Sequence, residues 1–514
     1  MTGTNPFMTL ERNAKGGKKT IYYDGDCPMC TVLIEKVKGS SREEAFDPKD
    51  ITRDALPAEL TAREAEKQIH VVGADGRVYK NAGAILQILE EYPKLRFLAI
   101  IGRLPVMRQM LSLGYRFVAA NRRFIFGPAR ELFWMKVTVA LGFGAGLLLS
   151  FRLWIGSHFF PITPVFEHLP RIPFPLGYSL LFILCISLLA IIVSSKPRKY
   201  IVAFLSLFAF LFLFDQTRLV PWTYQYFFIL ATLACFTWKK DAAGNEKDVI
   251  LATLRLIIAG TYFWSGLTKV NLGFFGGVFP WLMEPFVGFL PDSIELFVYA
   301  FGIAVPWLEM GIGVGLLVKR YRKVAASLAI AMHLFILLAI GPLGHSWGSV
   351  VWPWNIAMIA FVLLLFWNAR DFSVKEVLWV KNFAFQKVVL IFFIAAPVLS
   401  LGGLIDTVLS FPLYSGNRNT ASVYVSDAVK DRLPDAVLKY TKEVDRGVHE
   451  VSIFDWSFGE LNVEPYPETR AYKNIARYIC AYARDPDDVA LVVDERHTVI
   501  NPYGRQSVYR CLDL

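Results

Sequence analysis

Of the six cysteines in this 514-residue chain, only two are placed together by sequence. They are Cys27 and Cys30, in Tyr22-Tyr23-Asp24-Gly25-Asp26-Cys27-Pro28-Met29-Cys30. Two thiols at this spacing can form and break a disulfide. The apolar run Thr20 to Tyr23 predicts a strand, and Thr31 to Lys38 a helix, so the pair falls at a strand-to-helix junction. There the unpaired amides and the positive end of the helix dipole favour thiolate over thiol at Cys27. Pro28 suits the first helical turn, where a missing N–H costs nothing. Asp24 and Asp26 flank the pair as supporting carboxylates. CxxC is also half of a zinc site, but this region offers only His70 as a further nitrogen ligand and no third cysteine. A redox-active dithiol is the leading reading; a metal half-site and a structural pair are the weaker ones.

The elements that must hold these thiols follow from pattern. Residues 1–19 read as a disordered lead and 20–98 as a small α/β domain. In that domain Ile69-His70-Val71-Val72 and Val78-Tyr79 make a hairpin about Asp75-Gly76, and Ala82 to Glu91 has helical periodicity. Residues 99–131 are basic and amphipathic, a segment suited to the inner membrane face or to packing as a solvated helix.

Beyond it the chain is too apolar for a soluble protein, with 54% hydrophobic and only 19% charged residues overall. About nine spans are expected, near 133–151, 177–195, 199–214, 221–238, 250–267, 294–318, 324–341, 353–368 and 388–405. Residues 132–405 thus form a transmembrane domain. The net charge of +10 lies largely in short blocks beside these runs, at Lys196 to Lys199, Lys239 to Lys247, Lys319 to Lys323 and Arg370 to Lys387. That distribution favours anionic lipid and gives no nucleic-acid footprint. Cationic blocks on alternate loops place the N-terminus in the cytoplasm and the exit of the last span outside. Residues 406–514 turn polar and suggest a small extracytoplasmic α+β domain, in which Cys480 and Cys511 either pair or stay free. The N-terminus lacks the pattern of a signal peptide. Gly142 to Gly146 lies inside a span and reads as helix packing, so no nucleotide-binding fingerprint is present.

Ionisable or polar groups within spans are costly and mark candidate sites. Lys269, near the outer end of the fifth span, could act as a base or Schiff-base former, or snorkel to the interface. Asp215 with Arg218 at a span exit, Glu309, His333 and Asn355 are supporting candidates, and Glu309 with His333 could form an interhelical pair. The segment from Asn271 to Asp292, broken by Gly276, Gly277, Pro280 and Pro285, suits a re-entrant or interfacial loop.

Two family resemblances extend this reading. Tyr23 to Cys30, with Gly76 to Tyr79, Ala84-Ile85 and Ala119 to Arg123, resembles the DCC family of thiol-disulfide oxidoreductases over about the first 130 residues. The resemblance implies a thioredoxin-like fold with Cys27 as attacking and Cys30 as resolving thiol. Arg255 to Asn271, with Glu309, His333 and Trp352 to Asn355, resembles the horizontally transferred transmembrane family of vitamin-K-dependent γ-carboxylase relatives over residues 135–400. It implies Lys269 as a base toward a reduced quinone. Thr268 stands where that family has a second lysine.

The combined expectation is a polytopic α-helical protein of the bacterial inner membrane with a thioredoxin-like N-terminal domain. It would act as a thiol-disulfide oxidoreductase through its redox-active dithiol, with a cytosolic thiol donor, membrane lipid and a quinone-like molecule as partners. A redox-sensing transporter or lipid-handling protein, and a carboxylase-like epoxidase of a reduced quinone, are the alternatives.

Overall fold

The computed structural model describes residues 18–40, 43–57, 60–167, 169–239, 244–380 and 383–514. The expected disordered lead lies outside the described residues through position 17, while Lys19 already opens the first strand. Lys240 of the cationic loop expected at Lys239 to Lys247 also lies outside them. The chain divides into two compact units: residues 1–133 with 193–195, and residues 134–192 with 196–514.

The first unit runs β1 (Lys19–Tyr23), α1 (Pro28–Lys38), β2 (Phe46–Asp50), α2 (Ala62–Ala65), β3 (His70–Val72), β4 (Val78–Lys80), α3 (Ala82–Glu90), α4 (Arg96–Gly102) and α5 (Pro105–Ile125). Its sheet has the order β2-β1-β3-β4, with β1 and β2 parallel and the other pairs antiparallel. This is compatible with the expected thioredoxin-like α/β arrangement. Ile21 and Val71 on the sheet meet Ile34 and Val37 of α1 and Ala84 and Ile88 of α3 in one core. The i, i+3 spacing of Ile34 and Val37 and the i, i+4 spacing of Ala84 and Ile88 aim them inward. The basic connector becomes two helices; Pro105 opens the second, where its fixed φ is already helical.

The second unit contains α6 (Arg130–Leu149, which begins just inside the first unit), α7 (Phe151–Ile155), α8 (Phe174–Val193), α9 (Arg198–Phe214), α10 (Pro221–Ala234), α11 (Asn245–Thr268), α12 (Phe279–Val287), α13 (Asp292–Phe301), α14 (Val305–Leu317), α15 (Arg322–Ile340) and α16 (Trp352–Val362). Among the described residues, seven helices are long and apolar enough to cross a membrane. Two of the nine expected spans are not among these seven. α9 has 17 residues and α10 has 14, short of the roughly twenty that a perpendicular span needs. The interrupted segment after Asn271 forms one short apolar helix, Phe274–Val287.

α11 is buried along almost its whole length, and glycines set its distance from α14. A Cβ on Gly266 would lie 2.7 Å from the Met310 amide nitrogen, and one on Gly313 2.7 Å from the Ala259 carbonyl oxygen. Backbones can approach this closely only where the side chain is absent.

The C-terminal region carries β5 (Thr420–Ser426), β6 (Thr441–Asp445), β7 (Val448–Ser452), β8 (Val489–Glu495) and β9 (Arg505–Arg510) in the order β6-β7-β5-β8-β9. Cys480 at the end of helix Thr469–Cys480 is disulfide-bonded to Cys511 just past β9.

Candidate functional site: the dithiol and a buried membrane cluster

Cys27 is the N-cap of α1 and Cys30 lies in its first turn. The turn that delivers them is tightly specified. Gly25 donates its N–H to Asp50 Oδ1 at 3.1 Å, and a Cβ on Gly25 would sit 2.1 Å from Asp50 Oδ2. The Asp24 carbonyl oxygen accepts the Cys27 amide at 3.1 Å, and Asp24 Oδ1 accepts the Asp26 amide at 3.1 Å. The Asp26 side chain is exposed, so its backbone rather than its carboxylate serves the turn.

The Cys27 thiol is brought down to about 6. The leading cause is a hydrogen bond from the Cys30 thiol, which outweighs the opposing effect of burial; the amides of Cys30 and Met29 and the Arg122 guanidinium add to it. Cys30 moves strongly the other way, because donating to Cys27, burial and the neighbouring thiolate all favour its protonated form. One thiol is therefore primed as thiolate and the other as thiol.

Arg122 is the residue that local sequence reading does not assign. It comes from the last turn of α5, is 6% exposed, and donates through Nη2 to Asp24 Oδ2 at 2.8 Å and to the Glu66 carbonyl at 2.5 Å. Asp24 is 4% exposed, so this is a buried ion pair behind the dithiol. α5 also packs on α1, and the Tyr115 hydroxyl of α5 accepts the Ile69 amide at 2.7 Å. Cys27 itself is 0% exposed.

In the second unit, Lys269 caps the C-terminus of α11 and is buried, not snorkelling. Its Nζ contacts Glu309 Oε2 at 2.7 Å, Ser265 Oγ at 2.7 Å and the Ser265 carbonyl at 3.1 Å. All three ammonium protons are thus placed. The Glu309–His333 pair is corrected: Glu309 takes Lys269, while His333 lies 2.8 Å from both Asn355 Oδ1 and the Tyr262 hydroxyl. Asn355 orients its amide by donating Nδ2 to the Val351 carbonyl at 3.0 Å. Its Oδ1 can then only accept, so His333 carries its proton on Nδ1 and accepts from Tyr262 at Nε2. Tyr262 and Ser265 join the cluster unflagged by charge; the i, i+4 spacing of Ser265 and Lys269 was the available signal.

Asp215 stands apart from this cluster. It caps its own turn, accepting from Thr217 N at 3.1 Å and Thr163 Oγ1 at 3.0 Å. Arg218 donates to the Leu211 and Leu153 carbonyls at 2.6 and 3.2 Å. These two groups complete local backbone rather than meet at a site.

An apolar cavity of about 100 Å³ is lined by Trp222, Trp347, Trp354, Tyr414 and the Arg418–Glu464 ion pair, among others. The buried Tyr414 hydroxyl has no hydrogen-bond partner among the described residues. The loop forming this wall is tied to the end of α11, since Asn271 Nδ2 donates to the Ser415 carbonyl at 2.8 Å.

Residues 21–128 match the family described as DCC1-like thiol-disulfide oxidoreductase. No curated protein and no solved structure matches the chain. The N-terminal unit therefore contains a DCC1-like domain, and the carboxylase-like relation expected for the membrane half has no counterpart in these comparisons.

Proposed function

We propose that this chain is a multi-pass membrane protein that carries out thiol–disulfide exchange through Cys27 and Cys30. The observation that carries the reading is the opposed acidity of the two thiols, with Cys27 near 6. The Cys27 thiolate attacks a substrate disulfide; that S–S bond breaks, one substrate sulfur leaves as thiolate, and a mixed disulfide forms. The negative charge that favoured protonation of Cys30 is then gone. Cys30 gives its proton to the substrate thiolate already released, attacks the Cys27 sulfur, and expels the second substrate sulfur as thiolate, which takes a proton from water. The resulting Cys27–Cys30 disulfide is returned to dithiol by an external thiol donor, itself oxidised. Asp24 fixes the turn and holds Arg122, whose positive charge favours the Cys27 thiolate.

The proposed placement is N-terminal domain in the cytoplasm and C-terminal domain outside. The cationic blocks support it, as does the contrast between free Cys27 and Cys30 and the paired Cys480 and Cys511, since disulfides persist in oxidising compartments. In the membrane half, the apolar cavity with its unpartnered Tyr414 hydroxyl supports a lipophilic, quinone-like partner, with Tyr414 as the polar contact. Mass spectrometry of lipids co-isolated with the protein tests that part.

For the exchange reaction, Cys30→Ser protein should trap mixed disulfides that Cys27→Ser protein cannot form. Equal trapping by both variants refutes the assignment of roles.

A further inference from the structure

The hairpin of α4 and α5 has two unlike ends. The C-terminal half of α5 is fastened to the domain through Tyr115 and Arg122. The other end leaves Phe97, Ile100, Leu104, Val106, Met110 and Leu113 each more than half exposed. Soluble surfaces seldom leave so many large apolar side chains adjacent and uncovered. Between residues 92 and 130 the chain has eight lysines and arginines and no carboxylate. Arg103 is paired with Glu90 and Arg122 with Asp24, but Lys94, Arg96, Arg108 and Arg116 make no ion pair among the described residues. An apolar face set among such cations is complementary to an anionic bilayer surface, not to a second copy of the same cationic face. Only four residues separate the end of α5 at Ile125 from the start of the apolar helix at Arg130, so the hairpin cannot stray far from a membrane.

We propose that the α4–α5 hairpin docks on the anionic leaflet of the bilayer and that this docking moves α5 to uncover Cys27. Arg122 of α5 holds Asp24, whose carbonyl accepts the Cys27 amide, and α5 packs on α1, which starts at the dithiol, so the helix beside the thiols is the helix that carries the lipid-seeking face. Cys27 is already fully covered; docking that alters its exposure can only raise it. A bilayer shifts such an equilibrium by its differential affinity for the two positions of the hairpin. One Lys or Arg held near an anionic leaflet is worth about a fivefold shift.

The inference uses the dithiol reading only for its reporter. The test takes the full reduced chain, one copy per nanodisc, in phosphatidylcholine alone or with about a third phosphatidylglycerol. At about pH 8 Cys27 is already thiolate, so its alkylation rate by iodoacetamide, resolved by peptide mass spectrometry, reports exposure rather than charge. Hydrogen exchange of residues 95–120 is followed in the same discs. Anionic discs should slow exchange in the hairpin and speed Cys27 alkylation by at least about fivefold. Replacing Arg96, Arg108 and Arg116 by glutamine should remove both effects. Exchange unaffected by lipid assigns the face to another part of the chain and overturns the docking. Slower exchange with an unchanged or reduced alkylation rate overturns the uncovering. Failure of the chain to exchange any disulfide, with both lipid effects intact, would instead sink the proposed reaction and leave this inference standing.

Discussion

Replacing Cys30 by alanine removes the hydrogen bond that does most to hold Cys27 near 6. A hydrogen bond to a charged group is worth about 1.5–3 kcal/mol. At 1.36 kcal/mol for each pH unit, that is a shift of about one to two units. The sign is upward, because the lost donor stabilised the thiolate and not the thiol. The helix-start amides and Arg122 remain, so the midpoint should settle between about 7 and 8, short of the ordinary thiol value. At pH 7 the thiolate fraction would fall from about nine-tenths to between about a half and a tenth. The assay is the rate of Cys27 alkylation against pH, read from peptide masses. The rate at high pH serves as internal standard, so that changes in exposure cancel. Cys30→Ser, which keeps a hydroxyl donor, should shift the midpoint less than alanine. A midpoint that stays near 6 in Cys30→Ala would refute the account, because the acidity would then come from the helix start and Arg122 alone.

Other consequences are separable. Arg122→Met should raise the Cys27 midpoint by less than Cys30→Ala. It should also destabilise the domain by up to about 3 kcal/mol, because Asp24 would keep only its longer contact with Arg123 at 3.7 Å; thermal unfolding reads the second effect. Gly25→Ala should destabilise the N-terminal domain, since its Cβ has no room beside Asp50, and should lower trapping of mixed disulfides with both cysteines intact. Lys269→Met or Glu309→Gln alone should each lower thermal stability markedly, whereas Lys269→Met with Glu309→Leu should recover most of the loss, because an apolar pair leaves no charge uncompensated. Reducing the Cys480–Cys511 bond, which closes a separation of 31 residues, should cost about 3–4 kcal/mol in the C-terminal sheet, measurable as a loss of its hydrogen-exchange protection.

The dithiol was legible because its whole logic is local. A strand, a turn and a helix start fall within a dozen residues, and the cysteines sit at the junction. The β3–β4 hairpin was legible for the same reason. β2 was not: Phe46-Asp47-Pro48-Lys49-Asp50 reads as a polar loop, and it survives as a strand because it is an edge, where a proline lacking its N–H does little harm. Arg122 lies 98 residues from Asp24, and no pattern in the sequence joins them. The membrane half was legible as apolar runs, two of them at or below the short end of what spans a bilayer. Hydropathy registers α9 and α10 as it registers longer helices, and length alone separates them. The partners of Lys269 and His333 depend on which helices become neighbours, and glycines such as Gly266 and Gly313 settle that through backbone contact.

The pairing of Lys269 with Glu309 also bears on how the protein is made. The lysine emerges from the ribosome at the end of α11 and its carboxylate only some forty residues later, in α14. Until then the lysine, at the end of its span, is a lone charge whose cost lies below the about 2.5–3.5 kcal/mol of a charge at the bilayer centre, and Glu309 alone would face a cost of the same kind. α11 therefore has reason to linger at the insertion machinery until α14 arrives, and the two helices should enter the lipid as a pair. A chain truncated between residues 270 and 305 should accordingly be retained or degraded rather than released into the membrane.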